Sequence, residues 1–219
     1  LVAGTVSAAE MSASGSATMT FTGGDENANH GNGWTMADSV TFSASGDVND
    51  IGITLSLEVD GDAQSEKTNS TATYSSANGS NVLDSHSISF DFGEAGSLTF
   101  AGHGGSGFMD ANDDVMPTAS EEPWDVVTGA DAGVINGFAG NNMFTYKYSH
   151  EAGLNLTLSY INASDAVTDV SYSDAGVTYT GMDGLTVGYG QGDVENVTNT
   201  KSTESTLFAK YAMGSITVG

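Results

Sequence analysis

The sequence predicts an all-β chain folded as a transmembrane, antiparallel, up-and-down β-barrel. Three observations lead there. Apolar and hydroxyl-bearing residues alternate with a period of two over about ten segments, the connections between segments are alternately short and long, and aromatic residues sit at the ends of segments rather than in their middles.

The first segment sets the pattern. Met11, Ala13, Gly15, Ala17, Met19 and Phe21 fall on one face, with Ser or Thr at every position between. Successive side chains of a strand point to opposite faces, so this is a two-faced strand of bilayer-crossing length. The period recurs in Val40, Phe42 and Ala44, in Ile51, Ile53, Leu55, Leu57 and Val59, and in Ile88, Phe90 and Phe92, continued by Leu98 and Phe100. Phe144, Tyr146 and Tyr148 follow, then Leu154, Leu156, Leu158 and Tyr160, then Val177 and Tyr179. Leu185, Val187 and Tyr189 and then Leu207, Ala209 and Tyr211 complete about ten strands, with an eleventh beginning at Ser215.

Short turns marked by Gly or Asp are expected at residues 46–50, 93–96, 150–153, 181–184 and 212–214, where left-handed backbone is needed. Long polar loops are expected between them, at residues 23–37, 61–82, 103–142, 161–168 and 190–203. All the short turns therefore fall at one end of the sheet and all the long loops at the other, as in barrels that span a membrane.

A soluble β-sandwich also alternates, and the aromatic positions separate the two. Phe92, Tyr148, Tyr179 and Tyr211 precede short turns, whereas Phe21, Tyr160 and Tyr189 precede long loops. They form two girdles, one at each membrane interface, around a band of Leu, Ile, Val and Ala.

Composition narrows the partners. Over 219 residues the formal charge is −24, from 28 Asp plus Glu against 4 Lys and no Arg, so nucleic acid is excluded as a partner. No Cys is present, which removes thiol chemistry and Cys-ligated zinc. No stretch is long and apolar enough for a spanning helix. The opening LVAGTVSAAE reads as the end of a signal peptide with cleavage near Ala9, leaving residues 1–9 as its remnant and residues 10–219 as the barrel domain, incomplete at its C-terminus.

The third long loop is the longest, and it carries both prolines, Pro117 and Pro123. Asp110, Asp113, Asp114, Glu121, Glu122 and Asp125 make it acidic, while Phe108, Met109, Met116 and Trp124 give it apolar anchors. A long loop with anchors of its own packs somewhere and has a function. The glycines around His103 and Ser106 let the chain leave the sheet there and turn inward.

From residue 10 to its end the chain resembles the general trimeric porins of Gram-negative bacteria, especially those of alphaproteobacteria. The resemblance rests on the signal-peptide end, on the order of tight turns and long loops, and on HSISFDFGEAGSLTF at residues 86–100, GLTVGY at residues 184–189 and YAMGSITV at residues 211–218. It implies a sixteen-stranded barrel in the full protein, a homotrimer in the outer membrane, and a third loop folded inward to narrow the pore. By resemblance, Asp110, Asp113, Asp114, Glu121, Glu122 and Asp125 form that constriction. The family's arginine-rich wall has no counterpart here. Alternation puts only Lys147 and Lys210 in the lumen as cations, against Glu58, Asp60 and Asp91, and an acidic eyelet without a basic wall favours cations.

Asp110, Asn112, Asp114 and Glu121 match positions 1, 3, 5 and 12 of the EF-hand calcium pattern. Val115 replaces the Gly that an EF-hand needs and Pro117 interrupts the later half, so neither an EF-hand nor a cofactor is expected, and the alternative is a looser oxygen-lined Ca²⁺ site on these residues. An enzyme is not expected. His30, His86, His103 and His150 have no metal-ligand spacing, and the Ser of Gly-His-Gly-Gly-Ser at residues 102–106 is not centred in a nucleophile elbow.

The expected protein is thus a pore for passive diffusion of small hydrophilic solutes and ions, with the lipid bilayer as its partner. The rival reading is a secreted or surface-anchored β-sandwich adhesin that binds through its long acidic loops.

Overall fold

The computed structural model describes residues 10–21, 34–60, 83–112, 115, 139–162, 171–195 and 201–219. Among the described residues eleven strands, the last only three residues long, follow one another as hydrogen-bonded neighbours in chain order, the topology of an up-and-down sheet. They fall into two compact units, Leu1–Ile88 and Ser89–Gly219, with one strand running from the first into the second.

In the first unit β1 (Glu10–Phe21) pairs antiparallel with β2 (Trp34–Val48), and β2 with β3 (Ile51–Asp60). Register sets apolar residues opposite one another through much of this unit. Met11 lies opposite Ala44 and Ala13 opposite Phe42; Phe42 is opposite Leu57 and Ala44 opposite Leu55. Asn49 and Asp50 both have positive φ, 53° and 63°, and close β2 onto β3 in a two-residue turn whose twist suits a hairpin. The turn is thus tighter than the expected 46–50, because Gly46 and Asp47 remain paired in the ladder. β4 (Leu83–Asp91) follows, and Ser85 donates to the Glu58 carboxylate at 3.0 Å.

The second unit continues with β5 (Ser97–His103), a two-residue β6 (Gly105–Ser106), a two-residue β7 (Ala139–Gly140) and β8 (Met143–His150). β9 (Leu154–Ile161), β10 (Ser171–Met182), β11 (Leu185–Glu195), β12 (Lys201–Met213) and β13 (Ile216–Val218) complete it. β5 pairs with β8 directly, so the third loop is an excursion from a continuous meander. β6 and β7 pair with each other and pinch the base of that loop.

Strands reach into two of the expected long loops. β2 begins at Trp34 within the expected loop 23–37, and β11 and β12 reach Glu195 and Lys201 within the expected loop 190–203. In the second case the ladder continues past Tyr189 through Gln191, Asp193 and Glu195, because backbone pairing does not require an apolar side chain.

The short turns are staggered. Their closing pairs are His150 with Leu154, Met182 with Leu185, and Met213 with Ile216. The row of Leu154 passes through Tyr179 to Val187, two residues along β11 from Leu185. The row of Leu185 meets Tyr211, two residues before Met213. Measured along β11 and β12, these last two hairpins are each displaced by two residues from the one before, and an irregularity between Tyr179 and Met182 makes the first step three residues along β10.

Burial is the reverse of a water-soluble fold. On the apolar face Met11 is 78% exposed and Leu207 74%, and Phe42, Leu55, Phe144 and Leu158 are also exposed. The core cluster among the described residues is Phe108 with Met109, flanked by Tyr172, Val194 and Phe208, all three on the opposite, hydroxyl-bearing face. A sandwich would have buried the other side.

Candidate pore-lining face and third loop

Alternation carries a polar lining across the second unit. One row runs Thr99, Thr145, Ser159, Asp174, Gly192, Glu204, and the next runs Ser97, Lys147, Thr157, Gly176, Gly190, Thr206. Ser89 and Thr99 hydroxyls hydrogen-bond at 2.7 Å along this face. Lys147 stands exposed on it, and Lys210 lies half-buried further along β12.

The third loop begins on this side of the sheet. Gly104, at φ 71°, turns the chain out of β5, as the glycine-rich sequence led us to expect. A side chain on Gly105 would collide with Met143 and the Gly140 carbonyl, so glycine permits the close pairing at the loop base. Phe108 and Met109 then press onto β10 and β11. Met109 is wholly buried and Phe108 is 8% exposed.

The wall accommodates them by lacking side chains. A Cβ on Gly176 or Gly190 would lie inside the Phe108 ring. Asp174, 6% exposed, accepts the Met109 backbone N–H at 2.7 Å through Oδ2. A short 3-10 turn, Asp110–Asn112, follows, closed by Ala111 N–H to the Gly107 carbonyl and Asn112 N–H to the Met109 carbonyl. Lys210 Nζ donates to the Val115 carbonyl at 3.5 Å.

Of the acidic residues expected at the constriction, Asp110 is half-buried in this turn; Asp113, Asp114, Glu121, Glu122 and Asp125 lie outside the described residues. The calcium pattern divides likewise, with Asp110 and Asn112 described and Asp114 and Glu121 not. Among the described residues no three His, Asp or Glu side chains converge as metal ligands would. Glu58 accepts from Ser85, and Asp91 accepts the Gly93 N–H at 2.9 Å, which ties it to the short turn. Asp60 is placed in β3 by its backbone alone.

Aromatic residues mark both ends of the apolar band. Phe92, Tyr160, Tyr189 and Tyr211 are exposed, and Tyr148 and Tyr179 half-buried, on the apolar face; Phe21 is placed by its backbone alone. The tyrosine hydroxyls point away from the band. Tyr160 donates to Asn162 at 3.0 Å and Tyr189 to Gln191 at 3.4 Å, both loopward, while Tyr146 donates turnward to the Ala95 carbonyl. Such rings leave the apolar body in one medium and the hydroxyl in another. Within the band the Phe100 and Phe144 rings pack at 4.8 Å between centroids, tilted by 48°.

Beyond Tyr189 the same face turns polar. Asp193 pairs with Lys201 at 2.9 Å and accepts from Thr203 at 2.6 Å. Lys201 and Thr203 hold the Asp193 carboxyl below the usual carboxylate range, and Asp193 raises the Lys201 ammonium.

Sequence reasoning had not singled out Asp174, Gly176 or Gly190. A signal was present, since Gly176, Gly188, Gly190 and Gly192 leave neighbouring inward positions of two paired strands without side chains.

No family model and no curated protein matches the chain. Two solved structures, both variants of Rh. blastica porin, are similar to it at 15% sequence identity with a TM-score of 0.44. Each match covers 95% of this chain and 82% of the other.

Proposed function

We propose that this chain builds the wall of a water-filled β-barrel pore in a Gram-negative outer membrane, through which small hydrophilic solutes diffuse passively. The inversion of the two faces carries this reading. Contiguous exposed apolar surface of this extent is unstable in water and suits hydrocarbon, where every backbone polar group must also find a partner within the sheet. The opposite face, of hydroxyls and glycines, then borders an aqueous bore.

The register supports closure. A displacement of two residues per hairpin is one residue per strand. With a rise of about 3.3 Å per residue and strands about 4.8 Å apart, turns kept level require a tilt of about 35°, within the barrel range.

Selectivity follows from charge. With 28 acidic residues against 4 lysines, the lumen and the third loop attract cations and repel anions. In this reading Asp110, Asp113, Asp114, Glu121, Glu122 and Asp125 supply the charges of the constriction, and Ca²⁺ held loosely by Asp110, Asn112, Asp114 and Glu121 would compete with permeating cations there. Transport needs no catalytic group and no cofactor. The small face of Ala13, Gly15 and Ala17 on β1 admits a neighbouring barrel closely, as a homotrimer requires.

The test is the reversal potential of the full-length protein in planar bilayers under a KCl gradient. A potential of the sign set by K⁺ is expected. A potential of the Cl⁻ sign overturns the selectivity, and a protein that inserts without conducting overturns the pore.

A further inference from the structure

We infer that Asp174, Gly176 and Gly190 form a built seat for the head of the third loop, and that its occupation by Phe108 and Met109 sets the bore. The inference rests on the pore reading for its functional half and on geometry alone for its structural half.

Three independent contacts converge. The Phe108 ring occupies the space that side chains at Gly176 and Gly190 would take, on adjacent strands of the wall. Met109, wholly buried, presses its sulfur toward Gly190, and the Phe108–Met109 pair packs with Tyr172, Val194 and Phe208. The Met109 N–H, which would be an orphan donor in an apolar cluster, is received by the buried Asp174 carboxylate. Asp174 stands 65 residues further along the chain, so the bond is tertiary and ties loop to wall.

The arrangement is specific rather than adhesive. Docking the loop takes the Asp174 carboxylate out of water, a cost that its hydrogen bond from the Met109 N–H offsets, so the seat favours a loop that presents this donor. Two glycines in register leave a notch one ring wide. Asp174 is a positioning residue: it acts on permeation through the loop it holds. The Asp110–Asn112 turn follows the seat directly, so a shift of Phe108 also moves the half-buried Asp110.

Hydrogen exchange and single-channel conductance together test this in the folded protein. In Asp174→Leu, exchange at the Met109 amide should quicken by about tenfold to a hundredfold, as expected for losing a charge-assisted hydrogen bond, while the amides of β10 and β11 stay protected. Asp174→Asn keeps an acceptor and should restore protection. Gly176→Ala should expel the ring from the wall side; Phe108→Ser empties the seat from the loop side without touching a strand, which guards against misfolding of the glycine variant. Conductance should rise in Asp174→Leu, Gly176→Ala and Phe108→Ser. Unchanged exchange in all three overturns the seat. Faster exchange with unchanged conductance, in a protein that conducts, overturns its control of the bore. A non-conducting wild type overturns the pore reading and this role with it, even where exchange shows the loop released.

Discussion

At the scale of single residues, neighbours in sequence face opposite media, and this can be probed directly. Leu158 is an exposed apolar residue near the middle of the band on β9, whereas Asn155 lies on the hydroxyl face of the same strand opposite Thr178. Leu158→Arg should cost about 2–4 kcal/mol of unfolding free energy in lipid vesicles, the range for a cation on the lipid face near the midplane. Asn155→Lys, which adds a charge to a wetted wall, should cost less than about 0.5 kcal/mol. Denaturant titrations of both variants in vesicles check this, and equal costs would mean that the two faces meet the same medium.

At the scale of elements, the hairpin of β11 and β12 shows what alternation reveals and what it leaves out. From Leu185 to Tyr189 and from Leu207 to Tyr211 the apolar period announces the strands. Beyond Tyr189 the outward residues become Gln191, Asp193 and Glu195, and the hydrophobic signal ends while the ladder continues to Lys201. Trp34 to Asp38 were likewise invisible, because Ala37 and Asp38 break the alternation although each remains paired with β1. The turns were legible since left-handed backbone selects Gly, Asn or Asp, as at Asn49, Asp50 and Gly184. The loop seat was not, because Met109 and Asp174 meet only through tertiary folding. The polar extension carries its own expectation. The Asp193 carboxyl, held low by Lys201 and Thr203, should titrate below the ordinary carboxylate range in a ¹³C NMR titration, and Lys201→Ala should raise it. The pair's contribution to the hairpin is present at neutral pH and lost as acidification passes the folded Asp193 value. On the alkaline side it is lost above the ordinary lysine range, where the raised Lys201 deprotonates. Exposure keeps that contribution small.

At the scale of the whole molecule, register, burial and aromatic placement describe one geometry. A stagger of about one residue per strand is what closing a sheet into a barrel requires. In a bilayer the turns and girdles are drawn to common depths, so the stagger becomes a tilt. Tyr148, Tyr179 and Tyr211 fit this, for they lie on successive rows two residues apart yet at comparable distances from their own turns. Polarised infrared spectroscopy on oriented bilayers should therefore give amide dichroism for strands inclined about 35° to the membrane normal, the angle set by one rise per strand spacing. A tilt near zero would contradict barrel closure with this register. Strands lying flat in the membrane plane, or showing no preferred orientation, would mean that the exposed apolar face is not wrapped in lipid. Agreement would tie the Leu and Val band, the tyrosine hydroxyls and the inward third loop to a single axis, along which solutes pass.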